Sequence, residues 1–501
     1  MKRLAVINVV GLSESLIGPH TPKIVEFLRQ GARANIVPAF PAVTCTAQSN
    51  YLTGRSPAEH GIVANGWYNR ELAEVQFWKQ PDRLVHGRKI WDDLRADHPD
   101  FTCAKLFWWY NMYSGADYSI TPRPMYPADG RKVFDIYTWP CAIREEIKKD
   151  LGEFPFPAFW GPAAGVDTPQ GSADAVSRWI AASARWIEEK FRPTLNLVYL
   201  PHLDYNLQRY GPYGAPTSAS ARSVGLPPGG NTGFKAQAQP PAGGSAPPPL
   251  NPAILRDLGQ IDAIVGDLIA FFRDRGVGVL MLSEYGITNV DTPVHLNRLF
   301  REQGWITVRD ELGLELLDCG ASRVFAVADH QVAHIYLNDR TLEGKVFRLL
   351  ENTSGVAGVM GAQGKAEMGI HHPRAGELIA VASERSWFTY YYWLDDRRAP
   401  DFARTVDIHR KPGYDPVELF LDPKIPAVKL RILWRLLQKK LGFRMLMDVI
   451  PLDAFLVKGS HGCRPARAAD WPVLITDQPS RVTKPEIEST EVYSLIRDQV
   501  L

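Results

Sequence analysis

Apolar residues follow two alternating patterns along the chain. Residues 4–10 are apolar except for Asn8, which is typical of a parallel strand buried on both faces. A helix is predicted to begin at Pro22, because proline is favoured at the first helical position. A second strand is predicted at 34–40 and a second helix at 44–52. This alternation of strands and helices predicts a doubly wound α/β sheet.

The same alternation returns in the second half of the chain. It predicts helices at 175–191, 255–275 and 294–303 and strands at 195–200, 277–282 and 323–336. We therefore expect one mostly parallel sheet, with helices on both faces, that takes strands from both halves of the chain. This organisation favours a single α/β domain over 1–501 rather than two sequential domains.

The segment 211–252 differs in composition from the rest of the chain. It is rich in Gly, Pro, Ser and Ala, and Arg222 and Lys235 are its only charged residues. Such a composition buries too little apolar surface to fold. We predict a flexible Gly/Pro-rich insertion.

Composition excludes several classes of protein. The 501 residues are 45% hydrophobic and 22% charged, as in ordinary globular proteins. A formal net charge of +2 argues against a dedicated nucleic-acid binder. Five cysteines without a Cys-x-x-Cys pair argue against a disulfide scaffold or a zinc ribbon. No apolar stretch is long enough to span a bilayer, and the first residues lack a signal-peptide cleavage site, so we expect a cytoplasmic protein.

Thr44 is the first candidate for chemistry. It lies where a predicted strand gives way to a helix, and a helix N-terminus offers unpaired N–H groups that suit a phosphate. A threonine in this place could act as a nucleophile if its surroundings lower the pKa of its hydroxyl. It could also simply cap the helix, which is the simpler interpretation of this segment alone.

The residues that follow Thr44 extend the pattern. Thr53-Gly54 closes the helix, the run Pro-Ala-Glu-His-Gly-Ile occupies 57–62, and Asn65 lies 21 positions after Thr44. With these motifs the chain resembles the alkaline phosphatase superfamily, in its nucleotide pyrophosphatase/phosphodiesterase branch. The resemblance implies an alkaline phosphatase-like fold with inserted cap elements. It also implies that Thr44 is the nucleophile and Asn65 a donor to phosphate oxygens.

The resembled family uses two zinc ions, and its metal motifs can be located one by one. Val10 stands where the family has a ligating Asp. Asp204 matches a family Asp, but Gln208 replaces the His four residues later. The segment Ser-Glu-Tyr-Gly at 283–286 replaces Ser-Asp-His-Gly, and His461 matches a late His-Gly. The resemblance therefore implies a reduced, atypical metal site.

Several ligand sets are open for that site. Asp204 and His461 with one further ligand would hold a single zinc ion, the metal that the resemblance implies. Glu284 could also ligate beside Thr44. An oxygen-rich set of Asp204, Gln208 and Glu284 would suit magnesium or manganese better.

Three further residues are candidate ligands. Tyr285 occupies a family histidine position. His202, two residues before Asp204, would point the same way on a strand. His409 is another candidate. For each histidine taken singly, an ordinary hydrogen-bonded role is the simpler interpretation.

The predicted function is that of a phosphoric-ester hydrolase, a phosphodiesterase, pyrophosphatase or phosphatase, with a threonine nucleophile. The alternative is a pseudoenzyme that binds a phosphorylated ligand on the same fold. The chain also resembles an uncharacterised bacterial group whose genes lie beside a prenyltransferase and a sugar-phosphate cyclase. The small phosphorylated substrate could therefore be a nucleotide, a cyclitol or a lipid-linked compound.

Two other segments stand out by composition. The aromatic run 107–113 could line a pocket, although a strand at the edge of the core is the simpler interpretation. The segment 429–447 is basic and amphipathic. It is predicted to pack on the sheet with a cationic outer face, and peripheral membrane contact is the second hypothesis.

Overall fold

The computed structural model describes residues 1–214 and 248–501. The strands, in chain order, are β1 (Leu4–Val9), β2 (Ala32–Val37), β3 (Gly66–Asn69), β4 (Glu74–Phe77), β5 (Cys103–Leu106), β6 (Tyr118–Pro122), β7 (Ile136–Trp139), β8 (Leu195–Leu200), β9 (Gly278–Leu282), β10 (Thr288–Asn289), β11 (Thr292–Val294), β12 (Val308–Glu311), β13 (Leu314–Leu317), β14 (Val324–Asp329), β15 (Val332–Leu337), β16 (Val356–Met360), β17 (Leu378–Ala382), β18 (Ser386–Phe388), β19 (Gly459–Ser460), β20 (Val473–Thr476) and β21 (Glu486–Glu488).

The α-helices lie between these strands and after them. In chain order they are α1 (Pro22–Gln30), α2 (Thr44–Thr53), α3 (Pro57–His60), α4 (Ile90–Asp97), α5 (Ile143–Leu151), α6 (Ala175–Phe191), α7 (His202–Tyr210), α8 (Leu255–Arg273), α9 (Leu296–Glu302), α10 (Glu343–Glu351), α11 (Ala362–Glu367), α12 (Val428–Lys440) and α13 (Val492–Val500).

A nine-stranded sheet forms the centre of the fold, in the order β21-β2-β20-β9-β1-β8-β5-β6-β7. β1 lies between β8 and β9 and is parallel to both, with Asn8 opposite Tyr199 and Leu282. β20 and β7 run antiparallel to their neighbours. Helices α1, α6 and α8 pack together as one group, and α13 packs on both α2 and α4. The predicted mostly parallel α/β sheet is confirmed.

A second, smaller sheet is inserted between β9 and β20 in the chain. It is antiparallel, in the order β14-β15-β17-β16, and has its own cluster of buried apolar residues. The prediction of a strand at 323–336 in the central sheet is wrong, because this segment forms the β14–β15 hairpin of the inserted sheet. The turn at His330, with φ of 59°, contains neither glycine nor proline that could have marked it.

Some predicted boundaries also change. The helix predicted at 294–303 is α9, which begins only at Leu296 because residues 292–294 pair with β18 as a strand. The aromatic run 107–113 is not a strand. β5 ends at Leu106, and Phe107 and Tyr110 have φ of 64° and 53°, which an extended strand does not allow.

The Gly/Pro-rich segment falls mostly outside the described residues, which omit 215–247. Its described ends are paired with each other. Tyr213 forms an antiparallel bridge with Leu250, and the amide of Gly214 donates to the carbonyl of Pro249 at 3.0 Å. The flexibility of the insertion stays a prediction.

Two further observations concern contact with membranes. Among the described residues, no helix is both long enough and apolar enough to cross a bilayer. The segment predicted at 429–447 is helical only as α12, which has no fully buried residue. The prediction that it packs on the sheet with its apolar side inward is therefore wrong.

Candidate active site

The site lies where the central strands end. Thr44 is the first residue of α2, Asp204 lies in α7 directly after β8, and Glu284 and Tyr285 follow β9. Because β1, β8 and β9 are parallel neighbours, residues that follow β8 and β9 meet at the same edge of the sheet. Gly286 is required here, since an added Cβ would lie 1.7 Å from the carbonyl oxygen of Asp470.

Thr44 is inside the helix rather than its cap. Val43 is the N-cap of α2 and provides no side-chain hydrogen bond. The interpretation of Thr44 as a cap is therefore wrong. Thr44 is buried, with 3% of its surface exposed. Its hydroxyl lies 3.4 Å from the hydroxyl of Tyr285.

Tyr285 connects Thr44 to a buried carboxylate. Its hydroxyl donates to Oδ1 of Asp204 at 3.0 Å, and the amide of Gln208 donates to Oδ2 at 2.6 Å. Burial raises the pKa of Asp204 to about 7, against the opposing effect of these two hydrogen bonds. The Asp204 carboxyl is therefore poised to gain or lose a proton near neutral pH.

Glu284 lies on the other side of Thr44. Its Oε1 accepts hydrogen bonds from the amides of Gln48 and Asn8, at 2.5 and 2.6 Å, whereas its buried Oε2 has no partner among the described residues. Burial raises the pKa of Glu284 to about 8, partly offset by those hydrogen bonds. At neutral pH this carboxyl is mainly protonated.

His461 stacks flat on Tyr285, with ring centroids 3.7 Å apart and an angle of 5° between the planes. Nδ1 of His461 lies 2.8 Å from the carbonyl oxygen of Ala42. Because a carbonyl oxygen only accepts, Nδ1 carries the proton and Nε2 is the free nitrogen. Burial lowers the pKa of His461 to about 3, so the ring is neutral.

Asn65 is fixed between α2 and the β14–β15 turn. Its Oδ1 accepts from the amide of Cys45 at 3.0 Å, at the start of α2. Its Nδ2 lies 3.2 Å from both Asp329 Oδ1 and the hydroxyl of Tyr414. Tyr414 also contacts His330 Nε2 at 3.1 Å. Burial raises the pKa of Asp329 to about 6, although three hydrogen bonds oppose this shift.

Thr44, Asn65, Asp204, Tyr285 and His461 line one pocket, whereas Glu284 and Asp329 are not among its lining residues. Six of the residues predicted from the sequence line this pocket: Thr44, Asn65, Asp204, Gln208, Tyr285 and His461. Most of the remaining wall is aromatic and is made by Trp78, Trp109, Phe159, Trp160, Tyr199, Tyr205 and Tyr414. Among the described residues, no lysine or arginine lines the pocket.

His202 and His409 are not part of this pocket. His202 was predicted to point the same way as Asp204 on a strand, but both residues lie in helix α7. Two positions along a helix point in different directions, and His202 Nε2 contacts Gln260 and Asp257 of α8, at 3.1 and 3.3 Å. His409 is partly buried, and desolvation lowers its pKa to about 4. Its ring lies 6.2 Å from that of Trp109, outside the pocket lining.

The donor set does not fit the two-zinc centre that the resemblance implies. Within residues 1–214 and 248–501, no three His, Cys, Asp or Glu side chains are grouped so that they could hold a metal ion. Both oxygens of Asp204 already accept hydrogen bonds from side chains. Val10, at the position of a family ligand, is a fully buried core residue.

The sequence analysis did not assign roles to several residues of the site. Gln48 could have been found, because it lies one helical turn after Thr44. Asn8 could also have been found, since it is the only polar residue in the first buried strand. Asp329, His330 and Tyr414 give no comparable signal, because only the packing of the inserted sheet brings them to the pocket.

The central sheet and the Thr44 pocket at its carboxyl edge place the chain in the alkaline phosphatase-like class of α/β proteins. More narrowly, the chain belongs to the type I phosphodiesterase/nucleotide pyrophosphatase family, whose model matches residues 4–415. Enzymes of this family typically depend on divalent metal ions. Membership supports a hydrolase function of the phosphodiesterase or pyrophosphatase kind.

Solved structures share the fold at low sequence identity. Murine ectonucleotide pyrophosphatase/phosphodiesterase 5, as an inactive variant in complex with AMP, aligns with a TM-score of 0.54 and 14% identity over 100% of this chain and 95% of that chain. Phosphonoacetate hydrolase from Sinorhizobium meliloti, in complex with phosphonoformate, aligns with a TM-score of 0.58 and 12% identity over 100% and 96%. A comparison with curated protein sequences finds no match.

Proposed function

We propose that this chain is a phosphoric-ester hydrolase in which Thr44 attacks phosphorus and Asp204 receives the proton of Thr44 through Tyr285. The observation that carries the proposal is the hydrogen-bond path from Thr44 to Tyr285 and on to Asp204, with steps of 3.4 and 3.0 Å. A threonine hydroxyl is a weak nucleophile unless a nearby base takes its proton. Asp204, with a pKa of about 7, is suited to that task.

The reaction would proceed in two halves. Oγ1 of Thr44 bonds to phosphorus while the bond from phosphorus to the leaving oxygen breaks. The Thr44 proton passes to the Tyr285 oxygen as the Tyr285 proton passes to Asp204, so Tyr285 stays neutral. The intermediate is a phosphothreonine from a monoester, or a threonyl phosphodiester that keeps the second ester group from a diester. Water then attacks its phosphorus, and Thr44 regains its proton by the reverse path. The leaving oxygen takes a proton from solvent, and the attacking water returns one.

The phosphate oxygens would be held by backbone and amide donors. The first N–H groups of α2 carry partial positive charge at the helix N-terminus. Asn65 is proposed as a further donor, in exchange for its 3.2 Å contact with Tyr414. Asp329 Oδ2 accepts a 2.8 Å hydrogen bond from the backbone N–H of Asn65, so the side-chain amide of Asn65 is already oriented.

The pocket favours a diester over a monoester. A diester carries one negative charge and a monoester carries up to two, and the described pocket lining offers no lysine or arginine to balance the second charge. The aromatic wall suits an apolar or planar group on the other side of the phosphorus, such as a nucleotide base or an isoprenoid chain. A nucleotide, a cyclitol phosphate and a lipid-linked phosphate all stay in the substrate class.

No step of this proposal passes through a metal ion. A divalent ion, zinc by resemblance or magnesium or manganese on Asp204, Gln208 and Glu284, stays a prediction. Metal analysis of the wild type beside Asp204→Ala decides it. About one ion per chain, lost in the variant, would support a metal site. Turnover that survives removal of metal by a chelator would support the proton path instead.

The nucleophile is tested with chromogenic phosphodiesters and monoesters. Thr44→Ala should lower kcat at least about a hundredfold, because the attacking oxygen is removed. Thr44→Ser keeps a hydroxyl and serves as the matched control, which should retain activity and form a covalent adduct detectable by intact mass, phosphoserine from a monoester or a seryl phosphodiester from a diester. Undiminished turnover in Thr44→Ala would overturn the assignment.

One observation favours the alternative of a binding protein. Both oxygens of Asp204 are hydrogen-bonded, and Tyr285 occupies a family metal-ligand position. A pseudoenzyme would bind a phosphorylated ligand equally well with or without the Thr44 hydroxyl and would turn over neither ester class. The same pair of variants therefore separates the two functions.

A further inference from the structure

Helix α12 exposes the residues that a helix normally buries. Leu430, Leu433 and Trp434 are 67%, 63% and 57% exposed, and Leu437 and Leu441 are 43% and 63% exposed. These five residues recur at intervals of three and four, so they form one continuous face of the helix. We call this face the apolar stripe.

The opposite side of α12 holds the helix on the protein. Arg431 and Arg435 both pair with the carboxylate of Asp448, the second at 3.1 Å. Val428 and Ile432 pack on the apolar cluster of the inserted sheet. Arg431 and Arg435 thus face the body of the protein. The leucines face away from it, which is the reverse of an ordinary surface helix.

The surroundings of the apolar stripe are basic. Residues 428–447 contain six Lys and Arg residues and no Asp or Glu. Lys429 and Lys440 are exposed beside the stripe. Phe443, which follows the helix, adds a further apolar side chain that is 65% exposed. A large exposed apolar patch marks an interaction site, and a cationic border selects an anionic partner.

We propose that α12 docks this chain on the surface of an anionic lipid bilayer, with the apolar stripe inserted at the level of the lipid headgroups and acyl chains. Tryptophan and leucine on one face with lysine beside them is the composition of helices that lie in the membrane interface. Each lysine near an anionic leaflet adds attraction that salt weakens. A second protein or a second copy of the chain is the competing occupant, which the experiment separates.

The inner side of α12 is linked to the wall of the Thr44 pocket through aromatic side chains. Lys439 Nζ lies 5.9 Å from the ring of Phe134, which stacks on Phe156 at 4.8 Å. Phe156 in turn lies 6.3 Å from Phe159, which lines the pocket. The docking helix and the pocket wall are therefore joined by a short path of aromatic contacts. The membrane proposal does not depend on the proposed chemistry.

The proposal is tested by co-sedimentation of the full chain with vesicles. One set contains phosphatidylcholine alone, and the other has a third of its lipid replaced by phosphatidylglycerol. We expect binding to the anionic vesicles at low salt, with weaker binding at high salt and to the neutral vesicles. The double variant Leu433→Glu with Trp434→Glu should lower the vesicle affinity at least about tenfold, since it removes two apolar side chains that would insert into the bilayer.

Two further variants make the result specific. Leu72→Glu changes a leucine of similar exposure, 59%, in the β3–β4 connection and should bind vesicles like the wild type. Lys429→Ala with Lys440→Ala keeps the apolar stripe and should lower affinity about fivefold per lysine at low salt, with less effect at high salt. Melting temperatures of all variants should match the wild type, because the changed side chains are exposed.

Three outcomes would overturn the proposal. The first is no binding of the wild type to anionic vesicles at low salt. The second is equal binding by the stripe variant and by Leu72→Glu. The third is a concentration-dependent dimer that the stripe variant loses while no variant changes vesicle binding, which would assign the apolar stripe to a second copy of the chain.

Discussion

The Thr44 pocket and helix α12 break the usual distribution of residues in opposite ways. The pocket and its surroundings bury the carboxyls of Asp204, Glu284 and Asp329 in the interior. Helix α12 leaves leucines and a tryptophan in solvent. Ordinary exposed leucines carry little information, whereas buried polar groups and large exposed apolar patches do.

The two regions differ in whether other residues of the protein contact these unusual side chains. In the pocket, most polar atoms find partners inside the protein, as Asp204 does with Tyr285 and Gln208. No residue of α12 is buried by the part of the chain that the structure describes, and the proposed bilayer contact would cover the apolar stripe. The pocket is therefore the proposed site of chemistry, and the stripe is the proposed contact surface.

The largest effect that separates the two regions should come from Asp204→Asn. Asparagine keeps an acceptor for Tyr285 but cannot take a proton at neutral pH, so kcat/KM for a soluble diester should fall about 10² to 10⁴-fold. Gln208 can reverse its amide, since its Oε1 has no partner among the described residues. Steady-state kinetics measures the loss.

The matched control is Asp257→Asn. Asp257 is also buried but lies in α8, where it accepts from Asn206 at 2.9 Å outside the pocket. This variant should keep near-normal kcat/KM. Asp204→Asn should in turn bind anionic vesicles like the wild type, and the Leu433→Glu, Trp434→Glu variant should hydrolyse the soluble diester normally. Equal losses in both assays for either variant would show that the two regions are not independent.

The next effect is on the pH dependence of kcat/KM. Asp204 must be ionised to accept a proton, so activity should rise about tenfold per pH unit up to about pH 7 and then level off. Ionisation of Glu284 near pH 8 adds a negative charge beside Thr44 and should lower activity at higher pH. The two carboxyls interact, so the apparent pKa values belong to the pair.

Two variants show which carboxyl produces each limb of the pH profile. Asp204→Asn should abolish the rising limb, and Glu284→Gln should move or remove the falling limb. A rising limb that persists unchanged in Asp204→Asn would contradict the role of Asp204 as proton acceptor.

Much of the fold could be predicted from the sequence, because central parallel strands are apolar on both faces. Residues 195–200 and 175–191 form a strand and a helix with the predicted bounds. The inserted sheet could not be placed, since the β14 and β15 sequences are as apolar as central strands. Strand pairing depends on which surfaces meet, and a local pattern carries no such information.

The predicted site divides in the same way. Thr44 is a candidate because it lies at a strand-to-helix junction, whereas the roles of Asn65, Asp204, Tyr285 and His461 are implied by the resemblance. Asp329 reaches Asn65 across 264 positions of sequence, so only the tertiary structure shows the contact. The direction of α12 could not be predicted either, because an amphipathic pattern does not say which face meets the protein.

The smallest effect is on stability, and it tests how the pocket tolerates its buried carboxyls. The pKa of Glu284 is raised from 4.5 to about 8, so the folded chain keeps a proton that the unfolded chain releases above pH 4.5. This contribution to stability is full below pH 4.5 and is lost as the pH rises to about 8. Glu284→Gln has no proton to lose, so its unfolding free energy should fall less steeply with pH, by at most about 1.4 kcal/mol per pH unit.

Urea unfolding at a series of pH values from 5 to 8.5 measures this slope. Asp204 and Asp415, whose pKa values are also raised to about 7, keep part of the slope in the variant. Asp339→Asn is the control, because the pKa of Asp339 is about 2 and it stays ionised throughout this range. It should shift stability by a constant amount without changing the slope. If Glu284→Gln and the wild type lose stability with pH at the same rate, Glu284 is ionised in the folded chain, and the charge balance around Thr44 differs from the one argued above.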